Sequence, residues 1–162
     1  TLFRSGVDYL TVHAAGGVRM LQAAKNGAQE GADAAGVTAP KLLAITQLTS
    51  FSEEEMQTTQ LVTVPMRESV IHLAQLAAEA GVAGTISSAF ESSDIHANTP
   101  AGFLSITPGI RLAGDAVGDQ SRVVTPARAA EMGADGIVVG RSITQATDPV
   151  AAYQLIETEF NA

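Results

Sequence analysis

Cysteine and tryptophan are both absent from the 162 residues, only 4% are aromatic, and nine Lys and Arg stand against seventeen Asp and Glu. Without cysteine there is neither a disulfide framework nor a thiolate metal site. The net charge of -8 disfavours general attraction to nucleic acid or to anionic membrane surfaces, so an anionic ligand must be held by local positive groups. No apolar run approaches the length that spans a bilayer, and no signal-peptide pattern is visible at the start. These absences lead to the expectation of a cytoplasmic enzyme with no nucleic-acid and no membrane partner.

What is present is aliphatic: 46% of the residues are hydrophobic, mainly Ala, Val, Ile and Leu, a balance suited to parallel strands buried under helices. Three stretches share one grammar, Gly6-Val-Asp-Tyr-Leu-Thr-Val12, Gly81-Val-Ala-Gly-Thr-Ile-Ser87 and Gly133-Ala-Asp-Gly-Ile-Val-Val139. Each is a glycine that stops a helix, a short link and a β-branched strand. Lys41 to Thr46 and Gly102 to Thr107 read as two further strands. Five strands alternating with helices imply a parallel sheet in one α/β domain over residues 1–162.

Helices are expected from Gly17 to Gly31 and from Pro65 to Ala80, the latter stopped by Gly81. Ser52 with Glu55 is a capping-box pattern. Thr125-Pro126 and Asp148-Pro149 each place a capping side chain before a proline at the first helical position. In the last helix Ala152, Tyr153, Ile156 and Phe160 are expected to pack inward. Thr1 to Ser5 reads as the last turn of a helix. The length falls short of the roughly 250 residues of a complete eight-fold barrel, and the expectation is the last five βα units of one.

In parallel α/β folds chemistry sits at the carboxyl ends of the strands. The first expected strand ends at His13, which either binds a ligand or caps the following loop. The second ends in Thr46-Gln47-Leu48-Thr49-Ser50, neutral donors and acceptors suited to a base edge, or else a solvated helix-capping loop. The fourth ends in Thr107-Pro-Gly-Ile-Arg111, with Asp115, Asp119 and Gln120 on a loop long enough to close over a ligand. The fifth ends at Gly140, with Arg141 beyond it and a short helix opening at Ser142-Ile143-Thr144. A glycine that lets the backbone approach, helix amides and an arginine together form a phosphate wall.

Proton donors are scarce. The only lysines, Lys25 and Lys41, fall in a helix and at a strand entrance, and Asp8 and Asp135 also lie at strand entrances. His72 and His96 fall in helices and read as surface or packing residues, and Glu53 to Glu55 read as a solvated first turn. No metal-ligand spacing and no nucleophile elbow is present.

Taken in order, Val12-His-Ala-Ala-Gly-Gly17, Ala44-Ile-Thr-Gln-Leu-Thr-Ser50, Ile106-Thr-Pro-Gly-Ile-Arg111, Asp119-Gln-Ser-Arg-Val-Val-Thr-Pro126 and Gly136-Ile-Val-Val-Gly-Arg-Ser142 resemble the bacterial orotidine 5′-monophosphate decarboxylases. The resemblance implies a (βα)8 TIM barrel that acts as a homodimer and converts orotidine 5′-monophosphate to UMP without metal or organic cofactor. It makes Thr49 the contact to the pyrimidine edge and Gln120 the bridge between base and phosphate. It gives the phosphate to Gly140 and Arg141, with Arg111 on the same ligand-facing side. The family's proton-donating lysine belongs to an Asp-x-Lys-x-x-Asp motif on the third barrel strand, which is not found in these residues. The chain alone is therefore expected to be inactive. Two other readings use the same phosphate wall: a phosphosugar aldolase or synthase on a related barrel, and a partial barrel that binds phosphate without catalysis.

Overall fold

The computed structural model describes residues 4–112 and 122–162. All five expected strands form: β1 (Tyr9–His13), β2 (Lys41–Ile45), β3 (Gly84–Ile86), β4 (Leu104–Thr107) and β5 (Gly136–Ile137). They stand in one sheet in chain order, and every neighbouring pair is parallel. Helices return the chain between them: α1 (Gly17–Ala35), then α2 (Glu53–Gln60) and α3 (Met66–Glu79), then α4 (Ser92–Asn98), then α5 (Pro126–Glu131). After β5 come α6 (Arg141–Thr144) and α7 (Pro149–Phe160). A parallel sheet whose order follows the chain is the wall of a barrel, so all strand carboxyl ends share one rim.

Strand alternation decides what each face buries. Leu10 and Val12 of β1 and Leu42 and Ala44 of β2 join one core with Leu21 of α1 and Val70 of α3. Tyr9, Thr11 and His13, on the other face of β1, are exposed. A second cluster gathers Ala89, Ile110, Ala129 and Ala134, with Ile137, Val139 and Phe160 packed against it. Gly84 is required by close approach: a Cβ there would run into the backbone carbonyl of Leu104 on β4.

Most helix signals act as expected. Ser52 and Glu55 form both hydrogen bonds of the capping box, and the Thr125 and Asp148 side chains cap α5 and α7. Gly81, at φ 73°, follows the end of α3. Two expectations need correction. Gly31 does not end α1, which continues to a left-handed Gly36 whose N–H bonds to the Ala32 carbonyl. Ala28 and Ala32 are both buried, and this packing outweighs the roughly 1 kcal/mol that a glycine costs inside a helix. Tyr153 does not pack inward but is half exposed, at the mouth of an apolar hollow of about 410 Å³ beside Ile137, Val139 and Ile156. Its side of α7 lies at the β5 edge, where the sheet offers no further strand among the described residues. The turn expected over residues 1–5 falls largely outside the described residues.

Candidate active site

The rim at the strand carboxyl ends carries the loops singled out above. The loop after β2 is not the solvated cap that was one expectation, because Thr46, Gln47 and Thr49 are all buried. The Thr46 hydroxyl donates to the Ile86 carbonyl at 3.2 Å. The Gln47 amide is engaged by Gln60 and Ser69. Thr49 is thus carried on a loop whose polar neighbours are committed to the fold.

Arg111 follows β4 and is half-buried. Its guanidinium donates to its own residue's preceding carbonyl, Ile110 O, at 2.7 Å, and its backbone N–H donates to Val124 O at 3.0 Å. With the isolated parallel bridge between Ile110 and Val124, this draws the two ends of the long loop together. Asp115, Asp119 and Gln120 lie outside the described residues. Thr107, which opens this segment, is buried, and its hydroxyl has no hydrogen-bond partner among the described residues.

Gly140 caps the short α6, and its carbonyl accepts from the N–H groups of Ile143 at 2.9 Å and Thr144 at 3.0 Å. A Cβ at Gly140 would meet no atom within 4 Å. Internal packing therefore does not call for glycine here; its smallness leaves the amide approachable from outside. Arg141, the first residue of α6, is exposed beside it. Thr49, Arg111 and Gly140–Arg141 thus stand on the loops of β2, β4 and β5 along one rim.

His13 ends β1 on that rim and is exposed, but it makes no side-chain cap on the following turn, so the capping alternative is not realised. Neither lysine lies at that rim. Lys25 and Lys41 border the same small cavity with Pro40 and Gly81, at the strand entrances. His96 bonds to Gly133 O at 3.0 Å and approaches Asp135 at 3.2 Å, which places it with the β5 entrance. Among the described residues no group of three His, Cys, Asp or Glu could hold a metal ion.

Residues 1–156 match the model of the Orotidine 5'-phosphate decarboxylase / HUMPS family. The chain belongs to this family. It is 56% identical to the orotidine 5'-phosphate decarboxylase of Cutibacterium acnes over 162 residues, covering 100% of this chain and 66% of that protein. It is 51% identical to that of Listeria monocytogenes, covering 99% and 68%. The crystal structure of orotidine 5'-phosphate decarboxylase from Lactobacillus acidophilus superposes with a TM-score of 0.81 at 43% identity, covering 99% of this chain and 66% of that one. The chain thus spans about two thirds of the length of the relatives it matches, and its five βα units are part of a TIM barrel.

One buried ion pair has no counterpart among the roles that the rim-loop motifs imply. Arg122 lies inside the Asp119 to Pro126 segment, yet sequence alone assigned it no role. Its guanidinium forms an ion pair with Glu91, in the 3-10 turn Ala89–Glu91 after β3, and donates a second hydrogen bond to Leu48 O at 3.2 Å. Burial pushes the Glu91 carboxyl above its ordinary range, while the charge of Arg122 opposes that shift. A lone arginine followed by Val123 and Val124 was the available signal.

Proposed function

We propose that this chain supplies the base- and phosphate-binding loops of an orotidine 5′-monophosphate decarboxylase, a cytoplasmic, cofactor-free homodimer that releases carbon dioxide and forms UMP. The observation that carries this reading is the common rim of Thr49, Arg111 and Gly140–Arg141, on a chain 56% identical to a relative bearing the decarboxylase name. Thr49 meets the pyrimidine edge, Gly140 and Arg141 take the phosphate, Arg111 faces the same ligand, and Gln120 bridges base and phosphate.

The reaction builds a carbanion at C6 of the pyrimidine as carbon dioxide leaves, and that carbon must then be protonated. Neither Lys25 nor Lys41 lies at the rim to give the proton. The part of these loops is therefore binding rather than proton transfer. The phosphate is remote from the bond that breaks, and energy from gripping it raises the rate by holding the base in its reacting position. The isolated 162 residues bind without turning over.

The test is incubation of the complete protein containing this chain with orotidine 5′-monophosphate, following loss of substrate and formation of UMP. Turnover that persists with chelator present is expected. Absence of turnover, or metal-dependent conversion of a sugar phosphate instead, overturns the reading.

A further inference from the structure

Arg122 stands where three rim loops meet. Its guanidinium is paired with Glu91 after β3 and bonded to the carbonyl of Leu48, the residue before Thr49, after β2. Its own stretch is stitched to that of Arg111: Arg111 N–H donates to Val124 O at 3.0 Å, and Val124 N–H to Gly109 O at 3.3 Å. The two charged side chains are largely enclosed, at 15% and 7% exposure, and Glu91 is held by its own N–H to Ser88 O at 3.0 Å. A buried ion pair contributes little net stability, because desolvation offsets the attraction. What this pair does contribute is geometry, a fixed distance between the Leu48 carbonyl and the Arg111 segment.

We propose that Arg122, clamped by Glu91, is a positioning residue that sets the Thr49 loop against the Arg111 segment and so orders the base-recognising half of the nucleotide site. The inference rests on the assignment of Thr49 to the pyrimidine. The Gly140–Arg141 part of the phosphate half is built separately, since Gly140 is held by the turns of α6 itself. Loss of the clamp therefore weakens recognition of the base more than that of the phosphate.

The experiment compares UMP with ribose 5-phosphate, which lacks the base, by titration calorimetry on the complete protein and its Arg122→Met and Glu91→Gln variants. Orotidylate turnover by the unaltered protein is the control. UMP affinity is expected to fall about tenfold in Arg122→Met, with ribose 5-phosphate changed by less than about twofold. Parallel loss of both ligands, or no loss of either, overturns the positioning role. Should Arg122→Met fail to fold, Glu91→Gln decides: a UMP-selective loss supports the role, and any other result overturns it. Unaltered protein that neither binds UMP nor turns over orotidylate refutes the functional reading. Active protein with unresponsive variants refutes only the clamp.

Discussion

The side-chain amides of Gln47 and Gln60 bind each other reciprocally, Nε2 of each donating to Oε1 of the other at 2.9 and 2.7 Å. Gln47 also donates to the Ser69 hydroxyl at 2.9 Å, so one buried amide ties the β2 loop to the end of α2 and to α3. Gln60 itself is exposed, but Gln60→Ala removes the donor and the acceptor that satisfy the buried Gln47 amide. We expect a loss of about 1–2 kcal/mol in urea unfolding of the complete protein. A loss below about 0.5 kcal/mol would mean that water replaces the pair.

Arg141 is expected to bear on binding rather than on folding. It is exposed at the start of α6, so Arg141→Ala should leave the unfolding midpoint nearly unchanged. Hydrogen bonds to a charged group contribute about 1.5–3 kcal/mol, and UMP affinity should drop by roughly ten- to a hundredfold. Unchanged UMP affinity would remove Arg141 from the phosphate wall.

Gly84→Ala tests close packing between β3 and β4. The added methyl would press on the Leu104 backbone carbonyl, which cannot rotate away as a side chain could. Overpacking of this kind costs about 1–3 kcal/mol. Circular dichroism melts of the paired proteins measure it, and an unshifted melt would show that the two strands separate without penalty.

Acid should loosen the contact between α3 and α4. Arg67 holds Asp94 with Nε to Oδ2 at 2.5 Å and a second hydrogen bond from Nη2 to Oδ1. These bonds lower the Asp94 carboxyl below its ordinary value against the smaller upward pull of burial. A lowered folded-state value stabilises the protein above the unfolded value of about 3.9 and ceases to do so as pH falls through the folded one. The stability difference between the natural protein and Arg67→Met should therefore shrink as the pH falls below about 4. A difference constant over that window would show that the pair does not couple to protonation.

The edges of the sheet make a prediction about the 162 residues by themselves. Among the described residues β1 and β5 are each paired on one side only, and Tyr9 and Val138 are half exposed at those strands. Unpaired strand edges recruit other strands. The isolated chain should associate with rising concentration in sedimentation velocity and should not convert orotidylate. A stable monomer, or turnover, would contradict this.

Much of the architecture was legible in local chemistry. Glycines at helix ends, Ser52 with Glu55, Thr125-Pro126 and Asp148-Pro149 marked where elements start and stop, because caps and turns are satisfied by residues only a few positions apart. The β-branched runs and their alternation with helices implied the parallel sheet, and the linear motifs of the rim loops pointed to the family. Gly31 and Tyr153 went the other way. Whether an interior glycine ends a helix depends on what Ala28 and Ala32 pack against, and whether Tyr153 is covered depends on what stands beside β5. The pairings of Gln47 with Gln60 and of Arg122 with Glu91 and Leu48 belong wholly to the tertiary structure. Arg122 and Leu48 are 74 residues apart, and no short-range pattern carries information about such a contact. The sequence alone determined the elements and the rim on which they end, since those follow from neighbours along the chain; which polar groups became partners there was decided only when the sheet brought distant loops together, because a buried donor or acceptor must be satisfied by whatever the fold places beside it.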